Sequence, residues 1–153
     1  RFYDHIAQFP WLVWEEDGRV LGYAYGSPPF ERSAYRWCAE PSIYLHPDAF
    51  GTGIARKLYL ALEAILRYQG YQVLYSLVTD ENTRSVRFHE KMGYSRKMHL
   101  ADCGFKQGRW VGLIWMEKRL KIVETPSSFP CSWLSIVQDA ERFTNILGSL
   151  SLS

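Results

Sequence analysis

A chain of 153 residues, 47% apolar and 22% charged, can bury a single core and has the balance of an ordinary globular domain. Eighteen basic residues against 16 acidic ones leave a net charge of +2, which weighs against an extended nucleic-acid surface. No apolar run approaches the roughly 18 residues of a membrane span. Cys38, Cys103 and Cys131 lie too far apart for metal-ligand spacing and read as free thiols of a reducing cytosol.

In chain order, Arg1 to Phe9 places Phe2, Ile6 and Phe9 on one side, the end of a helix halted by Pro10. Trp11 to Glu15 reads as a strand, Asp17-Gly18 as a hairpin turn and Val20 to Gly26 as the return strand. Pro28 to Ser33 is a loop, and Tyr35 to Glu40 starts another strand. Ser42 to Tyr71 then gives a strand, a glycine turn and a helix of about four turns. Ile54, Leu58, Ala61, Leu62, Ile65 and Leu66 share one face of that helix, and Gly70 sits where a left-handed cap belongs.

Tyr71 to Val78 alternates as a strand, and Asn82 can cap a helix that runs to Met92 and is closed by Gly93. Tyr94 to His99 is extended, and Trp110 to Lys118 alternates again. Strands broken by two helices, with neighbours joined by hairpins, predict a mixed α/β sheet. Pro126, Ser127, Ser128 and Pro130 form a breaker cluster. Beyond it, the spacing of Trp133, Ile136, Val137, Ala140, Phe143, Ile146, Leu147 and Leu150 predicts one amphipathic helix packed on the chain's own sheet. The chain divides into a domain over 1–120 and an extension over 121–153.

Gly51, Thr52 and Gly53 leave bare backbone N–H groups at the start of the central helix. Unsatisfied donors and the positive dipole end favour an anion there, usually a phosphate. A Walker A loop does not fit, because Arg56-Lys57-Leu58 supplies no hydroxyl for a metal. The dinucleotide fingerprint fails too, with Arg56 in the place of its third glycine or alanine.

Phe50-Gly51-Thr52-Gly53-Ile54-Ala55 does resemble the acetyl-CoA loop of the GNAT N-acetyltransferases, R/Q-x-x-G-x-G/A, with Gly53 and Ala55 matching. Phe50 departs from the usual Arg or Gln, which bears on a side-chain contact to the pyrophosphate but not on the backbone cradle. Asn82 to Tyr94 is similar to the family's N-x-x-[AS]-x-x-[FL]-[YH]-x-x-x-G-[FY]. The blocks PWLVWEEDGRVLGYAYG, YRWCAEPSIYLHP, SVRFHEKMGY and CGFKQGRWVGLIWM resemble the phosphinothricin acetyltransferase branch, which N-acetylates small L-amino acids and their analogues.

The resemblance implies the GNAT (acyl-CoA N-acyltransferase) fold, a mixed and mostly antiparallel sheet with flanking helices, and acetyl-CoA as co-substrate without a metal. It implies Glu40 as the base acting on the acceptor amine and His89 as an acid or second base. Leu45 N–H is assigned to the thioester oxygen. Gly51, Thr52, Gly53, Ile54, Ala55, Asn82 and Ser85 are expected along the cofactor, and Tyr25, Arg32, Tyr35 and Tyr44 around an anionic acceptor. A cytoplasmic homodimer is expected, with Arg109 and Trp110 closing the pocket.

The chain opens on Arg inside a helical pattern, so the family's first strand and helices are expected to be missing from its front. Two alternatives stand beside the amino-acid acetyltransferase. One is a catalytically impaired acyl-CoA-binding remnant, and the other is an enzyme acting on a polyamine or protein amine.

Overall fold

The structure, a computed structural model, describes residues 7–121 and 124–148. Alternating apolar residues and turns that accept a positive φ lay down the strands. Asp17 and Gly18, at φ 51° and 74°, turn β1 (Trp11–Glu16) back onto β2 (Arg19–Ser27). Residues Ser33–Tyr35 form a short 3₁₀ turn, so the next strand, β3 (Cys38–Leu45), begins three residues later than its composition suggests. The central helix follows as α1 (Ile54–Gln69), ended by Gly70 in the expected left-handed conformation at φ 108°. Then come β4 (Val73–Thr79), α2 (Thr83–Lys91), β5 (Ser95–Lys106) and β6 (Arg109–Arg119).

Across the sheet the order is β1-β2-β3-β4-β6-β5, antiparallel except for the parallel pair β3–β4. Leu58, Leu62 and Leu66 of α1 are buried beneath β2 and β3, where Ala24 and Ala39 are fully buried. Close approach depends on small residues. A Cβ on Gly26 would stand 2.9 Å from the Phe9 ring, and one on Gly22 2.6 Å from Leu45. The opposite face carries an aromatic row in which Trp11 stacks on Tyr25 at 4.4 Å and Tyr23 on Tyr44 at 5.1 Å.

Periodicity does not reveal the polar residues buried on α1. Glu63 accepts from Lys118 Nζ at 2.6 Å and from the Tyr94 hydroxyl at 3.0 Å, and Lys118 also donates to Met92 O. A buried charge is tolerable only when it is partnered in this way. Gln69 donates from Nε2 to Gln8 O at 2.7 Å and to Cys131 O at 2.8 Å, tying the segments at Gln8 and Cys131 to the end of α1.

The tail differs from expectation. In place of one helix it forms α3 (Trp133–Val137) and α4 (Ala140–Gly148), because Asp139 caps a fresh start by accepting from Arg142 N at 3.0 Å. Ile136 and Ile146 pack against Ile65 of α1, with Leu12 of β1 beside them, so the tail leans chiefly on a helix. Leu150, and most of the helical end expected before Pro10, lie outside the described residues; Ala7 and Gln8 are helical.

Candidate active site

β3 and β4 pair only at Cys38–Val73 and Ala39–Leu74, and beyond Ala39 they diverge. His46 N donates to Leu21 O at 2.9 Å on the β2 side. Amides alternate along an antiparallel strand, so those of Ile43 and Leu45 point the other way, into the gap that β4 has left. Glu40 is the first residue past the last pair. With Ala39 and Pro41 buried on the α1 side, Glu40, Ser42 and Tyr44 face outward. Partial burial raises the Glu40 carboxyl above the ordinary 4.5, which suits a base meant to act near neutrality.

Two connected spaces occupy the gap. A cleft of about 310 Å³ is lined by Pro41, Ser42, Ser76, His89 and Lys106, among others. A groove of about 750 Å³ runs past Leu45, Phe50, Gly51, Ala55 and Arg84. Ile43, Tyr44, Asn82 and Ser85 line both.

At the groove the chain makes its glycine turn, with Gly51 at φ 75° and Gly53 at φ 83°. Thr52 N donates to Ala49 O, and Ile54 N to Thr52 Oγ1. The amides of Gly51, Gly53, Ala55 and Arg56 meet no acceptor among the described residues. Of the expected loop donors, Thr52 and Ile54 are therefore already engaged, while the two glycines and Ala55 remain open to an anion, joined by Arg56, which was not among those expected. Across the groove, Asn82 Oδ1 accepts from Ser85 N at 3.1 Å and caps α2.

His89 is only 4% exposed. Its Nδ1 lies 2.7 Å from Ser85 O, and a carbonyl can only accept, so Nδ1 carries the hydrogen. Nε2 then accepts from the Tyr59 hydroxyl at 2.7 Å, and Tyr59 Oη lies 3.0 Å from Ser76 Oγ. Burial pushes the imidazole below its ordinary 6.5, so it stands neutral at pH 7. The ring is thus one member of a buried hydrogen-bonded chain with Tyr59 and Ser76.

The expected acceptor residues fall into two groups. Tyr44 lines cleft and groove and belongs, with Tyr25, to the aromatic row. Arg32 and Tyr35 instead line a separate cavity of about 530 Å³, shared with Phe30, Tyr71 and, from the tail, Phe129 and Pro130. Sequence reasoning missed Tyr59, Ser76, Lys106 and Arg84. Tyr59 carried a faint signal as a hydroxyl beside the apolar stripe of α1. Nothing local marked the other three.

Open amides at a glycine turn beside a split sheet make a candidate anion site, and the comparisons supply the family. The family model described as acetyltransferase (GNAT) family matches residues 1–94, and the chain belongs to that family. It is 40% identical over 120 residues to the phosphinothricin N-acetyltransferase of Alcaligenes faecalis, covering 78% of this chain and 61% of that protein. It is 34% identical to the L-amino acid N-acyltransferase MnaT of Escherichia coli K12, covering 75% of this chain and 67% of that one. Among solved structures, it superposes on the phosphinothricin acetyltransferase of Sinorhizobium meliloti in complex with acetyl-CoA. There the TM-score is 0.73 at 31% identity, over 80% of this chain and 69% of the other. The chain thus spans less than two thirds of the length of the Alcaligenes relative.

Proposed function

We propose that the chain binds acetyl-CoA and passes its acetyl group to the amino group of a small L-amino acid or close analogue, by direct attack in a ternary complex. The observation that carries this reading is the parting of β3 and β4 after Ala39. It leaves the Leu45 amide turned into the gap, beside a groove also lined by Gly51 and Ala55 with their unbonded amides, and Glu40 stands where the strands part.

In this mechanism Glu40 takes one proton from the substrate ammonium, directly or through a water. The neutral amine attacks the thioester carbon, and Leu45 N–H donates to the oxygen as charge develops on it. Collapse breaks the C–S bond and releases the amine's second proton. One of the two protons reaches the departing thiolate, with the Ser76–Tyr59–His89 relay beside the same cleft as its route, and the other leaves to solvent. Asn82 and Ser85 flank the cofactor arm, and Tyr25 and Tyr44 flank the acceptor. Arg32 and Tyr35 join the acceptor site only if the loop at 28–36 closes toward Glu40.

Calorimetry with acetyl-CoA followed by a thiol-release assay over a panel of amino acids tests the proposal. Binding with turnover of an amino acid supports it. Binding without turnover favours an acyl-CoA-binding remnant. Turnover of polyamines alone would reassign the acceptor.

We place the protein in the cytoplasm, where its three unpaired cysteines would stay reduced. Residues 1–120 form the catalytic unit and 121–153 an extension, in which Ile136 and Ile146 brace α1. We also propose a homodimer through the β5–β6 hairpin, where Phe105 and Trp110 are 63% and 61% exposed and pack edge-on at 5.3 Å. A sedimentation mass equal to the 17.9 kDa monomer would overturn the dimer.

A further inference from the structure

The coenzyme loop of this chain lacks a cation where one belongs. Phe50 holds the place of the loop's usual Arg or Gln, and a phenyl ring donates nothing to a diphosphate. The ring does have a partner. The guanidinium of Arg84, from the first turn of α2, lies 4.0 Å over its centroid. Phe50 and Arg84 line the same groove as Gly51 and Ala55.

Three physical points converge on Arg84. Stacking occupies a face of the guanidinium and leaves the N–H edges free to grip an oxyanion, which the planar fork of arginine does best. No carboxylate among the described residues pairs with it. Finally, a cation in the first turn opposes the positive end of the helix dipole, and the first turn of α2 contains no acidic residue to offset it. An anion in the groove would relieve that repulsion and meet the unbonded loop amides at the same time.

We infer that Arg84, held in place by the Phe50 ring, supplies the cation for the coenzyme's diphosphate that the loop itself does not provide. This rests on the acetyl-CoA reading above. The ring at position 50 is then a platform, and the charge comes from a different element some thirty residues further along the chain.

The test is calorimetry with acetyl-CoA on the wild type, Arg84→Ala, Phe50→Ala and the double variant Phe50→Arg/Arg84→Ala. Arg84→Ala should weaken binding by about tenfold or more, with a shallower salt dependence. In the thiol-release assay it should raise KM for acetyl-CoA and leave kcat within about twofold, since the residue lies away from the reacting atoms. Phe50→Ala should give a smaller loss, and the double variant should regain most of the affinity. 3′-Dephospho-CoA should suffer the same penalty from Arg84→Ala, because the diphosphate is intact in it. Unchanged binding by Arg84→Ala overturns the inference, and so does a penalty that disappears with 3′-dephospho-CoA. Failure of the wild type to bind acetyl-CoA would instead bring down the cofactor reading, so the two failures are distinct. Arg84 is exposed on a capped helix, so its removal leaves the fold intact.

Discussion

Glu40 and His89 are both displaced from their ordinary acidity by burial, in opposite senses and with different consequences. For Glu40 the consequence is kinetic. In the proposed mechanism its carboxylate must be ionised to accept a proton, so activity should climb with pH through a value above the ordinary 4.5. Glu40→Gln should lower kcat by about 10²–10⁴-fold and erase that limb, with acetyl-CoA affinity unchanged by calorimetry. Equal turnover in the variant would remove Glu40 from the chemistry.

For His89 the consequence is stability. The unfolded imidazole takes up a proton near 6.5, while the buried one resists until a lower pH. Stability that His89 allows above 6.5 is therefore lost as pH falls from 6.5 toward the folded value. Urea unfolding of the wild type at pH 7.5 and pH 5.5 should show this drop, and His89→Gln should flatten it.

At the scale of elements, the start of α2 depends on the β5–β6 hairpin. Asp80 Oδ1 accepts from Gly112 N at 3.0 Å, and its other oxygen accepts from His99 Nε2 at 2.9 Å. Arg109 grips Glu81 with two bonds of 2.8 and 2.7 Å. These residues immediately precede the Asn82 cap. A Cβ on Gly112 would run into the Asp80 carboxylate and the His99 ring. Gly112→Ala should cost about 1–3 kcal/mol in urea unfolding, through the displaced carboxylate and the orphaned amide. On the proposed cofactor role of Asn82 and Ser85, which follow the turn, it should also weaken acetyl-CoA binding. His99→Gln should cost under about 1 kcal/mol, since that pair is exposed.

The same scale shows what could be read from residues alone. The face of α1 running from Ile54 to Leu66, the Asp17-Gly18 hairpin, the Gly70 stop and the Asn82 cap were legible because each is fixed by near neighbours. The burial of Tyr59, Glu63 and Gln69 was not, because their partners His89, Lys118 and Cys131 lie 30, 55 and 62 residues away in the chain. The break at Asp139 escaped notice because apolar spacing continues across it and only the capping bond shows a restart. At the candidate site, the glycine turn was visible in composition. Which of its amides are free, and where Arg32 sits relative to Glu40, depends on how the strands diverge.

For the molecule as a whole, the tail builds a second small core against α1. Ile136 is fully buried against Ile65, and Cys131 N donates to Gln69 O at 2.9 Å. Ile136→Ala should cost about 2–4 kcal/mol in urea unfolding and expose residues 124–148 to protease. An unchanged midpoint would make the tail a mere appendage.

The parting of the strands has a mechanical side as well. Among the described residues, the only ladder pairs joining β1, β2 and β3 to β4, β6 and β5 are Cys38–Val73 and Ala39–Leu74, with Gln72 N donating to Trp37 O beside them. The protein is in effect two three-stranded leaves bound along one short spine, with α1 and α2 as the boards that keep them from swinging. Widening the opening disturbs side-chain packing beneath those helices and breaks hardly any backbone bonds. Substitutions deep under α1, far from any ligand, should therefore set how wide the leaves stand.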